Sequence, residues 1–223
     1  MNKYAIGCGG LVLILVVIAF VVGLWLLGGY NRLVGLDQEV NKKWGDVQSV
    51  YQRRADLIPN LVNTVQGAAN FEKSTLTEVT NARASVGRVN LDPSKAPTDA
   101  AQLQQFQQAQ GQLSNALSRL LVVSENYPDL KANQNFLGLQ AQLEGTENRI
   151  SVERNNYNEV VQRFNTAVRR FPTNLMAGMF GFGPRPFFNA QSGADRAPTV
   201  NFNFGSPAPA GSPLPAATAA ATP

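Results

Sequence analysis

The sequence predicts an all-α protein: an N-terminal transmembrane helix, then an antiparallel bundle of long, coiled-coil-like helices, then a Pro/Gly/Phe-rich C-terminal segment. Three observations predict it. No residue between Lys3 and Arg32 carries a side-chain charge. From Tyr30 to Phe171 apolar residues recur mostly every three or four positions, which puts them on one face of a helix. Proline-containing stretches near residues 90–98 and 127–128 divide that pattern into runs.

Residues 1–29 form the expected anchor. Leu11 to Leu27 (LVLILVVIAFVVGLWLL) is almost entirely apolar. As a helix, about 28 uncharged residues rise about 42 Å, more than the ~30 Å hydrocarbon core of a bilayer. Tyr4, Trp25 and Tyr30 stand near its ends, where amphipathic rings prefer the headgroup region. A cleaved signal peptide fits poorly, because Leu26 and Leu27 occupy the position where cleavage after Gly28 or Gly29 needs a small residue. Ala5-Ile6-Gly7-Cys8 suggests a lipoprotein signal, yet no apolar region precedes Cys8. The expected location is therefore a membrane, crossed once. Arg32, Lys42 and Lys43 against Lys3 favour a cytoplasmic bundle.

Residues 30–171 are expected to form the bundle. Leu33, Leu36, Val40, Trp44, Val47, Tyr51, Ile58, Leu61, Val65, Ala68, Val79, Ala82, Val86 and Val89 keep helical spacing across Pro59. The first helix is thus predicted over about 30–89, continuous but kinked at Pro59. The second, about 98–127, starts at Thr98 as N-cap and buries Leu103, Phe106, Leu113, Leu117, Leu120 and Val123. The third, about 129–171, carries Phe136, Leu139, Leu143, Ile150, Tyr157, Val161, Phe164, Val168 and Phe171. Its spacing near 3.5 predicts left-handed, coiled-coil-like packing. The short Tyr127-Pro128 connection makes these two helices an antiparallel hairpin lying along the first. Residues 172–204 are predicted to be extended, since glycines and prolines interrupt FPTNLMAGMFGFGPRPFF, with a short strand at Thr199 to Phe204 (TVNFNF). Residues 205–223 read as a disordered Pro/Ala-rich tail.

The composition narrows the chemistry. The chain has no histidine and one cysteine, which removes histidine general acid–base catalysis, Ser-His and Cys-His pairs and most zinc sites. Its net charge of +4 comes from scattered basic residues, so no nucleic-acid partner is expected. No catalytic, metal or cofactor site is expected. Arg53, Arg54 and Asp56 precede Pro59 and form a candidate structural motif, read mainly as an ion pair or capping contact supporting the kink. Glu125, Tyr127 and Pro128 form a second at the hairpin turn, where capping and dipole compensation explain the carboxylates. Glu144, Glu147, Arg149, Glu153 and Arg154 are spaced for pairing along one helix. Met179, Phe180, Phe182, Phe187 and Phe188 are the candidate interface, either capping the bundle or meeting another subunit.

Several blocks carry a family resemblance: Tyr30-Asn31-Arg32-Leu33-Val34, Arg53-Arg54-Ala55-Asp56-Leu57-Ile58-Pro59-Asn60-Leu61-Val62, and Glu125-Asn126-Tyr127-Pro128-Asp129-Leu130-Lys131-Ala132. Glu144-Gly145-Thr146-Glu147-Asn148-Arg149-Ile150 and Phe171-Pro172-Thr173-Asn174, running into Gly181-Phe182, complete the set. In this order they resemble the LemA family of bacterial membrane proteins, over about Tyr30 to Phe188. Gln66-Gly67-Ala68 and Asn70-Phe71 depart from the Lys-Gly-Tyr and His more usual there. The resemblance implies a membrane anchor and an antiparallel helical domain, and no established activity. The expected function is a membrane-anchored scaffold that self-assembles, with the lipid bilayer and copies of itself as partners. The alternative is a binding or regulatory subunit of a membrane enzyme complex, such as a membrane-bound protease.

Overall fold

A computed structural model describes residues 3–67, 71–89 and 91–189, with side chains from residue 13 onward. The expected strand at 199–204 and the tail at 205–223 lie outside them. The described residues form six helices and no strand: α1 (Lys3–Gln66), α2 (Lys73–Arg88), α3 (Ala100–Ser124), α4 (Pro128–Lys131), α5 (Gln134–Arg169) and α6 (Thr173–Phe180). The compact unit that contains them closes at Phe188.

α1 runs without interruption from the apolar segment into the bundle and is long and apolar enough to cross a membrane. As expected, Pro59 lies inside it. A proline at 59 leaves the carbonyl of residue 55 without its helical donor. Here the Arg83 Nε donates to that Ala55 carbonyl at 3.2 Å.

That contact also corrects the expected helix over 30–89. The chain leaves the helix at Gly67 and re-enters one at Lys73, and Arg83 lies beside Ala55, so α2 runs back along α1. Reversal lets Phe71, Leu76, Val79 and Ala82 pack with Ile58, Leu61 and Val65. Burying such side chains is worth roughly 1.5–3 kcal/mol each, and a straight helix would have left those of α2 in water. At the far end of α2 the Trp44 indole donates to the Asp92 carbonyl at 3.0 Å, and the Ala96 amide donates to the Asn41 side chain at 2.9 Å.

α3 then runs parallel to α1, with Phe106 against Trp44 and Tyr51. Its N-cap is Asp99 rather than Thr98, with the carboxylate accepting from the Ala101 amide at 2.8 Å. The expected third helix begins later than 129. Pro128–Lys131 makes a single turn, α4, and α5 starts at Gln134, where the Asn133 side chain accepts from the Asn135 and Phe136 amides. α5 returns antiparallel to α1, as the pairs Glu147–Arg54, Tyr157–Trp44 and Glu39–Arg163 show. It ends at Arg169, and Phe171, expected on its buried face, is 74% exposed.

The segment after Pro172 is not extended throughout, because Thr173–Phe180 is helical. Gly181, at φ 75°, ends α6 in the left-handed conformation that suits glycine. Residues 182–188 then climb back beside α1 and α5 as an extended strap. They occupy the level that α2 never reaches, so the half of the bundle nearer the apolar end of α1 is closed by the strap and the start of α3 instead of a full fourth helix.

Candidate functional site

Apart from Thr75 and Ser124, the buried polar residues gather at two places. The first divides the core. One apolar cluster, around Trp44, Tyr51, Phe106, Tyr157 and Phe164, lies toward the apolar end of α1. A second, around Ile58, Leu61, Val79, Leu113 and Phe136, lies at the far end. Between Tyr51 and Ile58 stands Arg54, buried to 2% exposure. Its guanidinium donates to Glu147 at 2.9 Å, to Ser114 at 3.0 Å and to the Gln110 side chain. Thr146 and Gln110 are buried at the same level. Each contributing helix thus places polar residues between two apolar neighbours of its heptad, and α1, α3 and α5 meet in one polar layer. A buried polar position of this kind fixes register, because sliding a helix by one turn would bury an unpaired charge.

The other residues of the 53–59 motif do not join it. Arg53 is exposed, and Asp56 accepts from Gln52 at 2.8 Å on the outer surface. The ion pair Arg54 makes runs from α1 to Glu147 on α5 and does not involve Asp56. Within α5, Glu144 and Glu153 accept from the neutral side chains of Gln140 and Asn156. Glu125 is exposed at the C-cap of α3, and Tyr127 lays its ring against Phe71, centroids 4.9 Å apart. Pro128 is the first residue of α4.

The second place is the seat of the strap. Asn165 receives the Arg185 amide at 2.7 Å and donates to the Arg185 carbonyl at 2.8 Å. Asn158 does the same for Phe188, at 2.8 and 2.9 Å. Two asparagines seven residues apart on α5 thereby hold the strap much as a neighbouring strand would. The Arg185 side chain is buried and donates to Asp37 at 2.7 Å and to the Ala96 carbonyl at 3.1 Å. Asn41 donates to Asp37 at 3.3 Å and accepts from Ala96, which closes a ring joining α1, the α2–α3 loop and the strap. Phe188 then stacks on Trp44 at 6.1 Å, meets Tyr157 edge-on at 5.3 Å and carries Arg154 over its face at 4.9 Å.

The five candidate interface residues are therefore divided. Phe188 is core and Phe182 is partly buried beside Tyr30 and Phe164. Met179, Phe180 and Phe187 are exposed. Sequence reasoning did not single out Arg185, Asn158, Asn165 or Gln110. Arg185 between two prolines was the one visible signal, since a charged residue inside an apolar aromatic segment needs a partner.

The ionisable groups buried here are set for cohesion. Burial raises the Tyr157 and Tyr51 phenols above their ordinary range, only partly offset by nearby arginines, so both remain neutral, and Tyr157 donates to the Pro186 carbonyl. Among the described residues, no three Cys, Asp or Glu side chains gather in a way that could hold a metal ion.

The protein is thus an all-α antiparallel bundle that continues from a helix long and apolar enough to cross a bilayer, with its buried charges joining helices. The chain belongs to the LemA family, whose sequence profile matches residues 43–202. It is 25% identical to magnetosome protein MamQ 2 of Paramagnetospirillum magneticum over 201 residues, 82% of this chain and 72% of that protein. Protein LemA of Metamycoplasma hominis is 26% identical over 151 residues, 68% of this chain and 64% of that one. Magnetosome protein MamQ of Magnetospirillum gryphiswaldense is 23% identical over 189 residues, covering 76% and 68%.

Proposed function

We propose that this LemA-family protein is a single-pass, non-catalytic scaffold that assembles with copies of itself through its helical domain. In this reading α1 crosses a bacterial cell membrane and holds the bundle on the cytoplasmic side. Arg32, Lys42 and Lys43 flank the bundle end of the span, against Lys3 at the other. The observation that carries the reading is the use made of charge: Arg54 and Arg185 tie helices and strap together inside the bundle. Surface for lateral contact is supplied by Phe187, turned outward where Phe188 turns inward, and by exposed Val122, Leu137 and Val152. The anchor confines copies to one plane, which raises their effective concentration and makes weak contacts count. Mass measurement of the full chain in mild detergent and in lipid nanodiscs tests this. A discrete multiple of the protomer mass is expected, and a protomer that stays alone at all concentrations overturns self-assembly.

A second reading has one observation in its favour. α2 and α3 leave an open groove lined by Ser74, Thr77, Glu78, Asn81, Ser85, Gln112 and Asn115. Its mixed lining, polar side chains around Ala82 and Ala116, suits an amphipathic helix of another membrane protein, as a regulatory subunit would require. A monomer that co-purifies with one membrane enzyme, and loses it on Asn81→Leu, favours that reading.

A further inference from the structure

α6 lies at the height where the apolar segment of α1 ends. A Cβ on Gly29 would come within 2.8 Å of the Met176 sulfur and terminal methyl, so α6 sits almost against the α1 backbone there. The Tyr30 and Phe180 rings are 4.8 Å apart, and Leu26, inside the apolar run, packs partly against the cluster that holds Met176 and Ala177. Those two residues form the side of α6 that faces the bundle. Beside them, Phe171, Leu175 and Met179 stand four residues apart, 74%, 59% and 74% exposed. Asn174 and Gly178 occupy the remaining side. Arg169 and Arg170 immediately precede this stripe, Arg32 lies one turn beyond Gly29, and all three are exposed.

We propose that α6 is an interfacial membrane helix: Phe171, Leu175 and Met179 enter the boundary between headgroups and acyl chains, and Arg32, Arg169 and Arg170 meet lipid phosphates. The inference rests on the reading that α1 spans the bilayer. Given that span, the medium beside Leu26 to Tyr30 is the headgroup region, and an apolar stripe bordered by arginines matches its two layers. Left in water, Leu175 and Met179 on so short a helix, with Phe171 two residues before it, would make the kind of exposed patch that marks a contact surface. Their height on α1 selects lipid as the occupant rather than a second copy.

The test uses the full chain with Cys8→Ser, reconstituted in phosphatidylethanolamine–phosphatidylglycerol vesicles. Single cysteines replace Leu175, Met179, Val17 or Val122 in turn, each carrying an environment-sensitive fluorophore. Expected are blue-shifted emission and loss of most intensity at 175 and 179 when the vesicles contain lipid nitroxide-labelled high on the acyl chain. Position 122 should respond instead to aqueous iodide. Position 17 reports the span: if it is not quenched by labelled lipid, the spanning reading falls and α6 docking with it. If 17 is quenched while 175 and 179 answer only to iodide, α6 faces water and the docking proposal alone is wrong. Shielding of 175 and 179 from both quenchers means that protein covers the stripe, which also overturns it.

Discussion

Arg54 occupies a heptad position whose neighbours seven residues away, Val47 and Leu61, are both fully buried, so it sits where the pattern calls for an aliphatic side chain. The guanidinium is tolerated because Gln110, Ser114 and Glu147 meet it from two other helices. Arg54→Ala is expected to cost about 3 kcal/mol, since it removes the buried charge, leaves Gln110 and Ser114 without their donor and opens a cavity. Glu147→Gln is expected to cost under about 1 kcal/mol, because Glu147 is half exposed and screened by water. Circular-dichroism unfolding curves of the two variants check the asymmetry. The buried phenols give a pH dependence at the same scale. Tyr51 and Tyr157 titrate higher in the folded protein than unfolded, so their contribution is intact below about pH 10, the unfolded value, and is lost as pH rises toward the folded ones. The thermal midpoint should therefore fall above about pH 10, and Tyr157→Phe should reduce that fall.

Each element shows how far local pattern reaches. The faces of α1, α3 and α5 were legible, because a core-facing helix repeats its apolar residues at a spacing that neighbours cannot disguise. The reversal between α1 and α2 was not, since Val79, Ala82 and Val86 resume the same spacing in α2, and spacing carries no direction. α6 was hidden by its length: eight residues allow barely two turns of pattern, and its glycines resemble those of a loop. The seat of the strap was illegible for another reason. Asn158 and Asn165 look like solvated helix surface, and their partners lie 30 and 20 residues away. Arg54 was picked out, but its partner Glu147, 93 residues on, was assigned to its own helix. The asparagine clamps are expected to matter to the strap more than to the helices. Asn165→Ala should cost about 1–3 kcal/mol by stranding the buried Arg185 amide and carbonyl, with hydrogen exchange quickening first at Arg185 and Phe188.

At the scale of the whole molecule, the two apolar clusters depend on different pieces of chain. The far cluster draws on α2, α3 and the start of α5, while the near one needs Phe188 and Met176 from the C-terminal segment. Deleting Met179 to Phe188 removes a ring packed on Trp44 and Tyr157. Amide protection is then expected to drop around Trp44 and Tyr157 and to persist around Leu61 and Leu117, read by hydrogen-exchange mass spectrometry of the full chain. The uninterrupted course of α1 has a mechanical consequence. From Tyr30 to Gln66 the same helix extends about 55 Å past the apolar segment, with no hinge at which the bundle could decouple from the span. An apolar stretch longer than the local bilayer relieves the mismatch by leaning. In the spanning arrangement proposed above, a lean of about 20° would swing the far tip sideways by roughly 20 Å, so the thickness of the membrane becomes a pointing angle.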